Sequence, residues 1–372
     1  MRIAFIAAAQ VPSRTANSIQ VMKVCNAFRM LGHEVRLFLP GQVPEFTWDS
    51  LKSHYGISSE FSITWVRSIG FFRRYDFALR AVLSGRQWNA DYYYVWPLQA
   101  AAFASMLGLA TILEMHDRPQ GRFGPTLFRL FLRGNGAKRL LPITDSLRLW
   151  LSRNYQKDLT GPFTIIAPMG VEIERYSRTQ SPDEARKDLG LREGVTAGYS
   201  GHLYPGRGIE LLFALAQRCP ELNFLWIGGE PQAVELWRKK SRQAGLENLQ
   251  ILGFVENERV PVFQAACEVL LMPYQRSISV SSGGDTAQFA SPMKVFEYMA
   301  SGKAILSSDH PVFQEVLNDS NAILLPPDDI GSWELSLKEM RENIDRRELL
   351  GFQAAEDAKK YTWSERAKKS IM

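Results

Sequence analysis

The sequence predicts an α/β protein made of two doubly wound parallel-sheet domains. Three observations carry the prediction. Strand-like and helix-like patterns alternate through residues 3–144 and again through 195–307, the signature of parallel sheets wrapped by helices. Runs such as Tyr92–Trp96 and Thr111–Glu114 read as buried strands, as strands of a parallel sheet covered on both faces do. A chain of 372 residues is also long enough for two separate cores.

Ile3–Ala8 reads as the first strand. After the loop Pro12–Asn17, Ser18 is placed to cap a helix running to Leu31, with Ile19, Met22, Cys25 and Phe28 roughly on one face. Gly32 ends it, and Glu34–Leu39 forms the second strand. Tyr92–Trp96, Thr111–Glu114 and Leu140–Thr144 follow as buried strands. The second cycle opens with strand Val195–Ser200, loop Gly201–Gly208 and a helix over Ile209–Arg218. Asn223–Ile227 is a strand closed by Gly228-Gly229. Next come helix Gln232–Ala244, strand Gln250–Leu252, helix Glu258–Ala266, strand Val269–Met272, helix Met293–Ala300 and strand Ala304–Ser307. The join falls near Pro168-Met169-Gly170-Val171, giving domains over 1–168 and 169–355. In the remaining segment, 356–372, Thr362 and Glu365 form a capping-box pattern that begins a terminal helix. That helix is expected to pack back on the first domain. Two such domains are expected to meet across a cleft at their C-terminal strand ends, where ligands bind.

Composition excludes several classes. Hydrophobic residues make up 45% and charged residues 22%, without a low-complexity tract. Cys25, Cys219 and Cys267 lie far apart in apolar contexts, which reads as buried thiols in a reducing compartment. Met1–Ile6 soon reaches polar residues and is expected to be a short strand rather than a signal peptide. No run approaches the ~18–20 apolar residues of a membrane span, so a cytoplasmic location is expected. Net charge is +5, unevenly spread: residues 1–170 hold 20 Lys+Arg against 10 Asp+Glu, and the remainder 24 against 29. The first half therefore suits an anionic partner. Nucleic acid is a poor fit, because the basic residues are dispersed and no recognition motif occurs.

Three segments carry chemistry. In Ser291–Lys303, a Ser-Pro turn opens an apolar helix with Met293, Lys294 and Val295 at its mouth. A helix N-terminus with an adjoining cation suits a phosphate. Glu297, about one turn further in, is placed to accept hydrogen bonds from ribose hydroxyls. The plainer reading is a surface charge paired with Lys294 at i−3. In Gly201-His202-Leu203-Tyr204-Pro205-Gly206-Arg207-Gly208, glycines let backbone N–H groups close on an anion and Arg207 adds a donor fork. The alternative is an ordinary βα turn with a solvated arginine. His116, just past a strand, is placed to meet a ligand as donor or proton carrier. Alternatively it is a structural histidine bonded to Asp117.

These residues carry a resemblance. The chain resembles the retaining glycosyltransferases with the GT-B fold, in which two Rossmann-like domains face across a cleft, and specifically the large glycosyltransferase family 4, over nearly its whole length. Ser291–Leu306 is the most specific part and matches the subgroup pattern Ser-Pro-x-Lys-x-x-Glu. Gly201–Gly208 is similar to the family's first donor loop and Pro168–Glu172 to its interdomain segment. Asn17-Ser18 and Gly32–Val35 match the family's start.

The resemblance implies a nucleoside-diphosphate sugar as donor, no metal or other cofactor, and retention of anomeric configuration. It implies that Glu297 holds the ribose and Arg207 the diphosphate. Ser291 and the backbone at Met293–Val295 would hold the distal phosphate and sugar, with Gly201 and His202 beside them. Phe254 and Val255 would hold the base, Asn17 and Ser18 would also bind the donor, and His116 would contact the transferred sugar. The chain departs from the family pattern at Phe289, where a glutamate usually touches the donor sugar; Lys294 takes part of that role. His202 also stands where many members carry a second basic residue.

The first domain takes the acceptor in this family. Its segments Phe71-Phe72-Arg73-Arg74-Tyr75 and Arg122-Phe123 through Phe128–Arg133 mix aromatics with arginines, a combination suited to an anionic membrane surface. A lipid-linked or surface-polysaccharide glycan acceptor at the cytoplasmic membrane face is therefore expected. The alternative is a helix with a core-facing apolar side and solvated arginines. Rival readings are a soluble-acceptor synthase, a non-hydrolysing nucleotide-sugar epimerase and a binding protein on the same scaffold.

Overall fold

The computed structural model describes residues 1–69, 71, 74–177, 180–277 and 288–371. It divides into two compact units, Met1–Met169 together with the terminal segment from Trp363, and Gly170–Thr362.

The first unit runs β1 (Arg2–Ile6), α1 (Ala16–Met30), β2 (Glu34–Pro40), α2 (Trp48–Tyr55), β3 (Ser62–Val66), α3 (Tyr75–Gln87) and β4 (Tyr92–Val95). It continues with α4 (Leu98–Met106), β5 (Thr111–Met115), α5 (Gly124–Arg133), β6 (Lys138–Pro142) and α6 (Asp145–Tyr155). Its parallel sheet has the order β3-β2-β1-β4-β5-β6. The order reverses between β1 and β4, and such a switch point opens a crevice at the strands' C-terminal ends. Phe5 and Tyr94 stack at 4.7 Å in the centre and Phe28 meets Tyr94 edge-on at 5.6 Å. Each fully buried ring of this kind contributes about 1.5–3 kcal/mol over exposure.

The second unit contains α7 (Pro182–Leu189), β7 (Thr196–Ser200), α8 (Ile209–Arg218), β8 (Asn223–Ile227), α9 (Pro231–Gln243), β9 (Leu249–Gly253) and α10 (Val260–Ala265). After these come β10 (Val269–Met272), α11 (Met293–Ala300), β11 (Ala304–Ser308), β12 (Ile323–Leu325), α12 (Ile330–Glu342) and α13 (Ile344–Ala358). The sheet order β12-β11-β10-β7-β8-β9 repeats that of the first unit, with the switch point between β7 and β10. Trp226, Trp237 and Trp333 anchor its core. The last helix, α14 (Trp363–Ile371), belongs to the first unit and lies against α1.

Several sequence expectations shift. Ser18 is not the cap of α1: Thr15 is, accepting from the Ser18 N–H at 3.4 Å. The Ser18 hydroxyl turns inward instead and donates to the Ser13 carbonyl at 2.6 Å. The terminal segment starts at Trp363 rather than 356, because Leu350, Ala354 and Ala358 commit α13 to the second unit beside α11. Strands β3 and β12 were not anticipated. Both are outermost strands and neither is fully buried; β3 opens on alternating polar and apolar residues, and β12 is a short run of 3 residues. In α5 the residues Leu127, Phe128 and Phe131 are core residues, so that helix does not present an apolar face to a membrane. Arg122, Phe123, Arg129 and Arg133 remain exposed, as does Phe71. Phe72 and Arg73 lie outside the described residues.

Candidate functional site

The second unit gathers most of the expected site residues at its switch point. β7 ends at Ser200, and the loop Gly201–Gly208 folds over the chain leaving β10. Only glycine fits at two places. A Cβ on Gly208, at φ +75°, would sit 1.8 Å from the Pro273 carbonyl oxygen. One on Gly201, at φ +147°, would sit 2.5 Å from Lys294 Nζ. The two loops are then joined by the Gln275 N–H donating to the Gly206 carbonyl at 2.9 Å.

α11 delivers Lys294 and Glu297. Tyr298, fully buried on the same helix, accepts a hydrogen bond from the Ser200 N–H at 2.9 Å and so fixes the helix to the end of β7. The helix has Pro292 as its N-cap, with no side-chain cap and no acidic residue in its first turn, which leaves its positive end unneutralised. Of the expected backbone donors, the Val295 N–H is already given to the Pro292 carbonyl at 3.1 Å. Ser291 and Met293 flank the helix start, half-buried.

The decisive side chain is Lys294. It is only 9% exposed, and its Nζ has no hydrogen-bond partner among the described residues. The ammonium lies 3.9 Å from the Tyr199 ring centre and 5.2 Å from that of Tyr274. The Arg207 guanidinium stands 4.5 Å over the same Tyr274 ring. Burial pushes the Lys294 pKa well below the ordinary lysine range; Arg207 pushes the same way and Glu297 opposes. Cation–π contacts offset part of the desolvation, but they do not replace an acceptor. A buried cation in this state, beside a second cation and an uncapped helix end, is suited to receive an anion.

Around this group, His202 stacks on Tyr204 at 4.6 Å and its carbonyl accepts from Tyr199 Oη at 2.7 Å. Phe254 and Val255 follow β9, two strands from β7, half-buried. Phe289 is buried at 5% exposure. Tyr199 and Tyr274 were not foreseen as site residues. Their positions, at or just past the ends of β7 and β10, were the available signal.

The first unit holds a second polar group. His116 follows β5, and its Nε2 lies 2.6 Å from Glu114 Oε1. The partner expected for a structural histidine was Asp117, but that carboxylate accepts instead from the Arg118 N–H at 2.7 Å and from Gln120. Glu114 is fully buried and also meets Arg366 Nη2 of α14 at 2.8 Å, Gln20 Nε2 at 2.5 Å and the Tyr94 hydroxyl. Burial alone would raise its carboxyl. The Arg366 charge, then His116 and Tyr94, outweigh burial and hold the pKa at about 2. Trp96 meets His116 edge-on at 4.7 Å. Asn17 is exposed in the first turn of α1. Ser18 is fully buried and receives a hydrogen bond from Tyr55 Oη at 3.1 Å. Thus α1 brings Gln20, rather than Asn17 or Ser18, to His116. Among the described residues no group of three or more His, Cys, Asp or Glu side chains is placed to hold a metal ion.

Comparison with known proteins bears out the family resemblance. Residues 194–343 match the family described as Glycosyl transferases group 1. The chain is 30% identical over 200 residues to the putative teichuronic acid biosynthesis glycosyltransferase TuaH of Bacillus subtilis (strain 168), covering 48% of this chain and 45% of the relative. It is 27% identical over 220 residues to the phosphatidyl-myo-inositol mannosyltransferase of Mycolicibacterium smegmatis, covering 58% and 52%. The chain thus spans about half the length of the curated relatives it matches. The fold matches that of Anabaena HepE, solved in complex with UDP-glucose, at TM-score 0.73 and 16% identity, covering 100% of this chain and 98% of that one. A glycosyltransferase from Rickettsia africae matches at TM-score 0.77 and 12% identity, covering 100% and 96%. The architecture is the GT-B fold, with two parallel six-stranded sheets.

Proposed function

We propose, from the premise that residues 194–343 carry the Glycosyl transferases group 1 domain, that this protein is a retaining glycosyltransferase. It moves a sugar from a nucleoside-diphosphate donor to an acceptor hydroxyl. The observation that carries the reading is Lys294: a buried ammonium, unpartnered among the described residues, at the mouth of α11 and near Arg207. An incoming diphosphate supplies the missing acceptor and restores the charged form. The same cations then stabilise the charge that develops as the diphosphate departs. Lys294 and His116 are the proposed catalytic residues. Arg207 and the α11 N-terminus bind the diphosphate, Gly201 allows its approach, and Glu297 accepts from the ribose hydroxyls.

In the proposed reaction the bond between the anomeric carbon and the diphosphate oxygen breaks. A bond from that carbon to the acceptor oxygen forms on the same face, and the acceptor proton passes to the departing phosphate. This chemistry asks for no metal, because side-chain cations and a helix dipole carry the electrostatic work.

The proposed acceptor is a lipid-linked or surface-polysaccharide glycan. The names of the two curated relatives give teichuronic acid biosynthesis and a phosphatidyl-myo-inositol mannosyltransferase, and the first unit exposes Phe71 and Phe123 amid arginines. Three buried free thiols fit the cytoplasm. No helix among the described residues is long and apolar enough to cross a membrane, so the proposed contact is with the membrane surface. Binding to anionic vesicles at low salt, lost with Phe71→Ser and Phe123→Ser, tests that contact.

The donor assignment is tested by calorimetry with UDP, the nucleotide seen in HepE, and with other nucleoside diphosphates. Arg207→Ala, Glu297→Ala and Lys294→Met should each weaken binding. Unchanged affinity in all three would overturn it. NMR of the product's anomeric centre reads the stereochemistry, and inversion would refute retention.

A further inference from the structure

Among the described residues, every side-chain hydrogen bond of His116 runs through one of its two ring nitrogens. Nε2 faces Glu114 Oε1 at 2.6 Å, with Gln20 Nε2 3.2 Å away; no hydrogen bond to Nδ1 occurs among the described residues. Glu114 sits in an ion pair with Arg366 at 2.8 Å and accepts from Gln20 and Tyr94. An ionised carboxylate is an acceptor only. The short His116–Glu114 contact therefore requires the proton on Nε2, which leaves the Nδ1 lone pair free in the neutral ring. Trp96, edge-on at 4.7 Å, restrains the ring plane. The histidine is partly open, its side chain 26% exposed, whereas Glu114 is sealed at 0%. The ring thus has one anchored nitrogen, while the other makes no hydrogen bond among the described residues.

We propose that Glu114 is a positioning residue that locks His116 in the Nε2–H tautomer, so that Nδ1 meets the ligand as an acceptor for a sugar hydroxyl. Arg366, from the terminal helix α14, is the brace that holds Glu114 for this task. The arrangement follows the general rule that the bond at one imidazole nitrogen sets what the other can do. It also gives α14 a role in the site beyond closing the first unit's core, since Arg366 donates to the Ala167 and Pro168 carbonyls and to Tyr94 while it pairs with Glu114. This inference deepens the glycosyltransferase reading and rests on it for the identity of the hydroxyl, but the tautomer itself does not.

The test begins on the wild-type chain without any substrate. Nitrogen-15 NMR of the histidine rings, with His116 assigned by its loss in His116→Gln, should show a protonated, pyrrole-type Nε2 and a pyridine-type Nδ1. The reverse pattern would overturn the proposal. In Glu114→Gln the preference should relax toward a mixture of tautomers, and kcat/KM for sugar transfer should fall by up to about 100-fold, the scale of misplacing a reacting group by about 1 Å. The loss should lie in kcat, with UDP affinity unchanged. Arg366→Lys, which keeps a cation, should recover more activity than Arg366→Gln. Wild-type ring signals and wild-type kcat/KM in Glu114→Gln would sink the idea. If the wild-type protein binds no nucleoside diphosphate, the functional reading fails while the NMR result still decides the tautomer.

Discussion

Each unit buries an ionisable group near its switch point, Glu114 in the first and Lys294 in the second, and the two are treated in opposite ways. Glu114 in the first unit is a buried anion saturated with donors: a guanidinium, an amide, a phenol and an imidazole. Lys294 in the second is a buried cation against two tyrosine faces, with no acceptor among the described residues and with another cation nearby. The first arrangement is complete by itself and serves to hold something else in place. The second is incomplete and costs stability, a pattern expected where a protein keeps a site ready for a charged ligand.

The comparison can be broken experimentally. The largest effect is expected from Arg366→Met, which strands the Glu114 carboxylate. Loss of one partner of a buried pair costs about 3–5 kcal/mol, so denaturant midpoints at neutral pH should fall steeply. A loss below about 1 kcal/mol, less than one charged hydrogen bond, would show that Glu114 is not held by this pair.

Acid provides the second test. The Glu114 pKa is lowered from 4.5 to about 2 in the folded protein, so its stabilisation is fully present above pH 4.5 and disappears as pH falls through about 2. The shift corresponds to roughly 3 kcal/mol. Glu114→Gln should remove that portion of the acid dependence of stability.

Lys294→Met should do the opposite of a normal core mutation and stabilise the protein, by about 1–3 kcal/mol if the unpartnered amine costs what such groups usually do. The folded pKa lies below 10.5, so the unfolded chain holds the proton more tightly. The wild type is therefore penalised at and below neutral pH and recovers as pH rises toward 10.5. Thermal melts should show the variant's advantage shrinking over that range, while UDP binding is lost throughout. The smallest effect is expected from Gly201→Ala, which should cost about 1 kcal/mol through its unsuitable φ and displace Lys294, weakening UDP binding.

Much of the fold was legible in the sequence because buried parallel strands are continuous apolar runs. The segments around Phe5, Ile112, Leu225 and Leu271 declare themselves this way. The outermost strand β3, which opens Ser-Ile-Thr, lacked that cue, and β12 is a run of only 3 residues. The mouth of α11 and the Gly201–Gly208 loop were legible for a local reason: glycines, a proline turn and a cation sit within a few residues of one another. The polar network of the first unit was not. Glu114 and Arg366 are 252 positions apart, and nothing near Arg366 separates it from the solvated arginines elsewhere. The Arg122–Arg133 segment misled in the other direction, because its Leu and Phe residues face the core and a one-dimensional pattern cannot say which apolar face is covered.

The sequence by itself determined the two α/β cycles, the helix mouth at Ser291–Lys294 and the position of His116 beyond a strand. These follow from hydrophobic periodicity and local turn chemistry, which act between near neighbours. Only the tertiary structure decided that Lys294 is buried without an acceptor among the described residues, that Tyr199 and Tyr274 wall it, and that Arg366 reaches Glu114 behind His116. Desolvation and ion pairing depend on which distant segments exclude water together, and that is a property of the folded sheet rather than of any stretch of chain.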